Sequence, residues 1–306
     1  MSKGGDYFEQ GTNLAGSPVT SSPEDTQKDP LGSSIFYACC METRETTVHP
    51  TAVVMPGAEL GVGVEVGPFC VIEPGVELGD GCKLSPHVHL LGRTTIGADA
   101  KIGSGTVVGG EPQDKAYAGE PTRVIIGREC RLHEHVTIHR ATKEGATTLG
   151  DEVMMMAGAH VGHNVTIEDR VILVNNAAVG GYAHIGEAAF LSNGCAVHQY
   201  GRIGRLTLLG GGCMATKDAP PFSIVVGSYP VRWRAPNAIG LRRSGFSSEE
   251  RNAIRKALFS LYSHDDGPLA AAKELAYSRV PPVVEIARFV MDSPRGLCAG
   301  PAKHQS

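Results

Sequence analysis

At 306 residues the chain is long enough for one large domain or two modest ones around a sizeable core. Its formal charge of −4 offers no general attraction for nucleic acid or anionic membrane, and no apolar run reaches the roughly 18 residues of a membrane span. The 39 glycines set against 6% aromatics exclude an aromatic-rich core and suit a chain of tight turns filled by aliphatic side chains.

Residues 1–46 are rich in Ser, Pro, Gly, Asp and Glu (GSPVTSSPEDTQKDP) and are predicted to be a disordered tail. The opening MSKGGDYFEQ lacks the apolar core of a secretory signal, and the segment is too acidic for a typical transit peptide. Met41 opens METRETTVHPTAVV, which reads as an alternative natural start. The eight cysteines contain no CxxC pair, and only Cys39 and Cys40 adjoin, which points to reduced thiols and a cytoplasmic protein.

From residue 47 to 218 one period dominates. Every sixth residue from Val48 through Val54, Leu60, Val66, Ile72 and onward to Val108 is aliphatic. Two positions earlier sits a small or β-branched residue: Ala52, Ala58, Val64, Cys70, Val76, Cys82. A period of six fits neither a helix nor simple strand alternation; it predicts a parallel β-solenoid with flat faces that repeat every six residues. The pattern breaks at 109–124, resumes at Ile126, Leu132 and Ile138, breaks at 139–148, and runs unbroken from Leu149 to Ala215. At three faces per coil this predicts about eight stacked coils, with the two breaks as outward loops where function concentrates.

Residues 219–246 (beginning APPFSIVVGSYPVRWRAPN) are proline-punctuated and read as a linker leaving the solenoid. From 247 to 306 the pattern is helical. Ser247 and Glu250 have capping-box spacing before the apolar face Ile254, Ala257, Leu258 and Leu261, with further helices at 268–276 and 281–291. This small domain would cover the open edge of the last coil.

Several histidines fall in the second half of the solenoid: His160 and His163 in AHVGHN, His184, and His198 in AVHQY. Val161 takes the inward register, so His160 and His163 flank it and face outward. An imidazole can take a proton from a hydroxyl near neutral pH, while clustered imidazoles can also bind zinc. Spacing alone leaves both uses open.

The stretches QDKAYAGEPTRVIIG, VTIHRAT, AHVGHN, NNAAVGGY, AVHQYGRIG and GLRRSGF, in this order, together resemble the UDP-N-acetylglucosamine O-acyltransferase family of the lipid A pathway, from about Thr47 to Gly296. The resemblance implies a mainly β fold, a left-handed parallel β-helix with a small C-terminal helical domain, assembled as a homotrimer with sites between subunits. It implies transfer of a 3-hydroxyacyl chain from acyl carrier protein to the sugar 3-hydroxyl of UDP-N-acetylglucosamine, with no cofactor and no metal. His163 falls at the catalytic base and the backbone of Gly181 at the oxyanion donor. Gln113, Asp114, His160, His198 and Gln199 match substrate-contacting positions, and Gly211 the position that measures acyl length. Arg242 and Arg243 would meet the nucleotide phosphates, and Asn237 the sugar or acyl group. Basic residues between 202 and 256 also suit an acidic carrier protein on Coulombic grounds.

Four positions depart from the family pattern. Asn164 replaces an aspartate that would orient His163, Ala116 a lysine, Tyr182 a histidine and Ser244 an arginine. An amide holds a ring tautomer but does not stabilise an imidazolium as a carboxylate does. The expectation is therefore a weaker base, rescued by Asn164→Asp unless another carboxylate approaches. Acylation of another UDP-amino sugar, such as a 3-amino analogue, is the alternative within the class. A gamma-type zinc hydrase and a non-catalytic solenoid are the alternatives outside it.

Overall fold

The computed structural model describes residues 45–301, which lie within one compact unit; the expected tail and the alternative start at Met41 fall outside them, apart from Glu45 and Thr46. The six-residue period becomes two-residue strands joined by four-residue turns, as in His160–Val161, Thr166–Ile167 and Ile172–Leu173. Three such strands make a coil. Ile72 pairs in parallel with Leu90, and Val161 with Val179, each eighteen residues further on.

The strands form three parallel sheets. The first face has eleven strands beginning at Thr47–Val48, the second nine from Val53–Val54 to Met214–Ala215, and the third eight from Glu59–Leu60 to Arg202–Ile203. That gives eight full coils and part of a ninth. Both loops leave the ladder intact. Val108 still pairs with Ile138, and Ile138 with Val161, so residues 111–122 and 140–145 project outward while the rungs on either side stay paired, with one bulge between Val108 and Gly110.

The inward column is the core. Ile72, Leu90, Ile138, Val161, Leu173 and Leu191 are fully buried, each contributing about 1.5–3 kcal/mol by leaving water. The smaller position two residues earlier is buried too, at Val64, Cys70 and Thr94. Its cysteines donate to turn carbonyls, Cys70 to Ser85 and Cys82 to Gly97, and all six described cysteines are free and buried. The first coil is the open end: Val48 is 44% exposed although it sits in the inward register.

Residues 219–246 are more ordered than a linker. Ser223–Val226 adds another rung to the first face, pairing Val225 with Leu209, and Arg232–Pro236 folds back antiparallel on it. A short helix, α1 (Ala238–Arg243), follows; it is shorter than two turns, so no helical period marks it in the sequence. Three further helices are α2 (Ser248–Ser263), α3 (Pro268–Leu275) and α4 (Pro281–Met291). Ser247 and Glu250 close the capping box, and Ile254, Ala257, Leu258 and Leu261 form the buried face of α2. Trp233 lies between the returning strand and α2, stacked on Tyr262 at 4.9 Å and edge-on to Phe259 at 5.1 Å. Arg205 holds Glu285 of α4 through two hydrogen bonds, 3.1 and 2.8 Å. The helices are thereby fastened to the last coils.

Candidate active site

His163 stands at the corner between the second and third faces, in the turn after His160–Val161, with its side chain only 12% exposed. Its Nδ1 lies 3.0 Å from Asn164 Oδ1. The surrounding hydrogen bonds settle which atom is which. Thr142 N–H donates to the same Oδ1 at 2.8 Å, while Asn164 Nδ2 donates to the Thr142 and Glu144 carbonyls at 3.2 and 3.1 Å. The amide oxygen therefore faces the ring, Nδ1 carries the proton, and Nε2 is left with its lone pair free. Asn164 has φ of 56°, a left-handed conformation that asparagine tolerates well.

A carboxylate does approach. Asp114, from the loop 111–122, places Oδ2 3.9 Å from His163 Nε2. The loop is held from below by Arg140, which donates to the Tyr117 hydroxyl at 3.0 Å and pairs with Glu111 at 3.3 Å. Asp114 itself accepts from Ala116 N–H at 3.0 Å. At this distance Asp114 favours the imidazolium once Nε2 takes a proton.

Gly181, one coil later, lies directly under the ring. A Cβ built on it would come 2.5 Å from Nε2 and 2.6 Å from Cε1. Among the described residues its N–H meets no acceptor, while its carbonyl accepts from Tyr200 N–H.

Three imidazoles line this corner and the second face. His160 shares a hydrogen bond with Thr137 Oγ1 at 2.8 Å and meets His139 edge-on at 4.9 Å. Burial first, then the charges of His160 and His163, push His139 down to about 4; burial alone lowers His160. Both rings are neutral at physiological pH. Among the described residues no three His, Cys, Asp or Glu side chains are placed to share a metal ion. His184 is engaged with Glu168 at 3.0 Å on the third face.

The other predicted residues are more dispersed. Gln113 is exposed on the Asp114 loop. His198 and Gln199 lie two coils beyond His160 and His163 on the same corner, with His198 Nδ1 3.0 Å from the Gln199 carbonyl. Gly211 is exposed at the corner between the first and second faces. Asn237 departs from expectation. It is 9% exposed and caps α1, its Oδ1 accepting from Gly240 N–H at 3.0 Å while Nδ2 donates to the Leu206 carbonyl at 2.8 Å. Its amide is thus committed to the fold. Arg242 and Arg243 are exposed on α1.

Two groups escaped the sequence reading: His139, and the pairing of Tyr182 with Tyr200. A period of eighteen, one coil, would have flagged the tyrosines, because Asn164, Tyr182 and Tyr200 occupy one corner column.

With this geometry in hand, comparison with known proteins is informative. Residues 218–298 match the second domain of UDP N-acetylglucosamine O-acyltransferase, and residues 75–110 the bacterial transferase hexapeptide. The acyl-[acyl-carrier-protein]–UDP-N-acetylglucosamine O-acyltransferase of Brucella ovis is 41% identical over 263 residues, covering 84% of this chain and 94% of its own. The chain belongs to this family. Among solved structures, UDP-N-acetylglucosamine acyltransferase from Bacteroides fragilis is 32% identical with a TM-score of 0.79, covering 82% of this chain and 99% of its own. The Francisella novicida enzyme is 29% identical with a TM-score of 0.79, covering 84% and 95%. The solenoid is accordingly a left-handed parallel β-helix, the sense opposite to ordinary crossovers.

The hydrogen bonds around Asn164 bear on the effect of an aspartate there. Asn164→Asp would set a carboxylate oxygen against the Thr142 and Glu144 carbonyls in place of two donated hydrogen bonds. The variant is expected to lose about 1 kcal/mol of stability and to show no gain in rate at neutral pH. Thermal unfolding and kcat measured side by side check this; a faster enzyme would refute it.

Proposed function

We propose that this acyltransferase moves a 3-hydroxyacyl chain from acyl carrier protein to the 3-hydroxyl of UDP-N-acetylglucosamine, the first step of lipid A biosynthesis. The observation that carries the reading is His163, its Nδ1 turned to the Asn164 amide oxygen and its Nε2 seated against a Gly181 backbone whose N–H has no acceptor among the described residues. His163 takes the proton of the sugar hydroxyl as that oxygen attacks the thioester carbon. The Gly181 N–H receives the oxyanion, and Asp114 stabilises the imidazolium. The C–S bond then breaks, and the proton on Nε2 passes to the departing sulfur, leaving the carrier as a free thiol.

Asp114, Gln113, His160, His198 and Gln199 are the substrate contacts of this reading. The acyl chain has an apolar path along the second face, where Ala178, Ala196 and Met214 follow His160 as outward residues. The path ends beside Gly211, the position assigned to chain length. Arg242 and Arg243 serve the diphosphate and, with neighbouring basic residues, the acidic carrier. A homotrimer accords with the apolar outward stripe Met154, Ile172, Phe190 and Leu208 on the first face, which a single chain leaves half-buried. Buried free thiols accord with a cytoplasmic setting.

The test is acyl transfer by the purified full chain from 3-hydroxyacyl carrier proteins of several lengths to UDP-N-acetylglucosamine, followed by mass spectrometry. An O-acylated product with one preferred length is the expected result. Transfer only to a 3-amino analogue, or none at all, would overturn the reading.

A further inference from the structure

Both outward loops leave the solenoid at the same corner, one rung apart. The first departs after Gly110 and the second after His139, and these two residues are partners across the second face. Arg140 therefore begins the second loop beside the root of the first, its N–H donating to the Gly110 carbonyl at 3.0 Å.

The Arg140 side chain turns away from its own loop. Nε donates to the Tyr117 hydroxyl at 3.0 Å, Nη1 to the Gly109 carbonyl at 3.4 Å and Nη2 to Glu111 at 3.3 Å. The guanidinium also lies 5.5 Å from the centre of the Tyr117 ring. Its side chain is 19% exposed, a degree of cover that a cation tolerates because Glu111 and these hydrogen bonds compensate it. All of these partners belong to the loop 111–122 or to the stem it leaves from.

The middle of that loop has little else to hold it. Among residues 111–122 only Pro112 and Thr122 are buried, one near each end. Thr122 Oγ1 donates to the Ala141 carbonyl and fastens the far stem. Tyr117 is the anchor between them, and it lies one turn from Asp114. Its N–H donates to the Asp114 carbonyl at 3.0 Å, while the Asp114 carboxylate accepts from Ala116 N–H at 3.0 Å, so the turn is closed by backbone and side chain together. A continuous path thus runs from Arg140 through Tyr117 to Asp114, whose Oδ2 stands 3.9 Å from His163 Nε2.

We propose that Arg140 is a positioning residue, a latch that holds the loop 111–122 so that Asp114 stands beside His163 during acyl transfer. The inference rests on the transfer proposed above and on the part of Asp114 in it. A direct hold on the substrate diphosphate fits less well, because Glu111 already offsets the guanidinium charge.

Steady-state kinetics of the full chain with 3-hydroxyacyl carrier protein and UDP-N-acetylglucosamine test it. Parent activity is measured first, so failure of the reaction itself is seen before any variant is read. Arg140→Met is expected to lower kcat about tenfold, the weight of one opposite charge close to the imidazolium. Arg140→Lys keeps the charge but not the fork, and its kcat falls with that of Arg140→Met. Tyr117→Phe removes the Nε acceptor and costs about threefold, the weight of one hydrogen bond. It lies on the outward loop and carries the test if Arg140→Met folds poorly.

The deciding readout is a double-mutant cycle. In an Asp114→Asn background either substitution should change kcat by less than about twofold, because the carboxylate they position is already gone. Losses that multiply in that background would make Arg140 merely structural and overturn the proposal. So would parent-like kcat in Arg140→Lys, in Asp114→Asn, or in both Arg140→Met and Tyr117→Phe.

Discussion

Replacing His163 with alanine is expected to lower kcat for acyl transfer by about 10²–10⁴-fold, the usual contribution of a positioned general base. The loss should fall on kcat more than on either KM, because the imidazole acts on a proton in flight. The fold should survive. Val161 and Val165 supply the buried contacts on either side of the turn, and Asn164 keeps its bonds to Thr142 and Glu144 when Nδ1 is gone. Circular dichroism and thermal unfolding against the parent protein verify that. Retention of more than a tenth of the parent rate would move the base to another residue, and Asp114 would be the first examined.

A second large effect is expected from the smallest possible change, Gly181→Ala. The new methyl would lie 2.5 Å from His163 Nε2, 2.6 Å from Cε1 and 3.0 Å from Cδ2. These are far inside van der Waals contact, so the ring must swing away from its partners. Displacement of a catalytic group by about 1 Å costs about 10²-fold in rate, and that is the drop expected in kcat. Parent-like kinetics would show that His163 rests elsewhere during catalysis.

The scaffold was largely legible from the sequence, because a solenoid writes its geometry into a short period. Inward residues from Val66 to Ala215 follow one column, and the structure buries them. The capping box at Ser247 and the proline-led α4 were legible for the same local reason. What the sequence hid were contacts whose spacing depends on the loops. Asp114 reaches His163 from forty-nine residues upstream, across a loop with no period of its own. Asn164 was visible as a departure, but its meaning came from the Thr142 and Glu144 carbonyls, which a sequence does not display. Asn237 was visible as a motif match, while its place as the cap of α1, with both ends of its amide bonded within the chain, was not.

The eighteen-residue register also limits how such an enzyme can change its preference for chain length. Coils stack at a hydrogen-bonding repeat of about 4.8 Å, so separations along the axis are available only in whole multiples of that step. Removing or adding six residues between His163 and Gln199 would turn every later face by a third of a revolution and break the column that holds His163, Gly181 and Gln199. Only insertions of a full coil, or loops expelled like 111–122, keep the column aligned. On the proposed roles of His163 and Gly211, coarse retuning between them is therefore quantised, and the finer adjustment falls to side-chain volume at the corners.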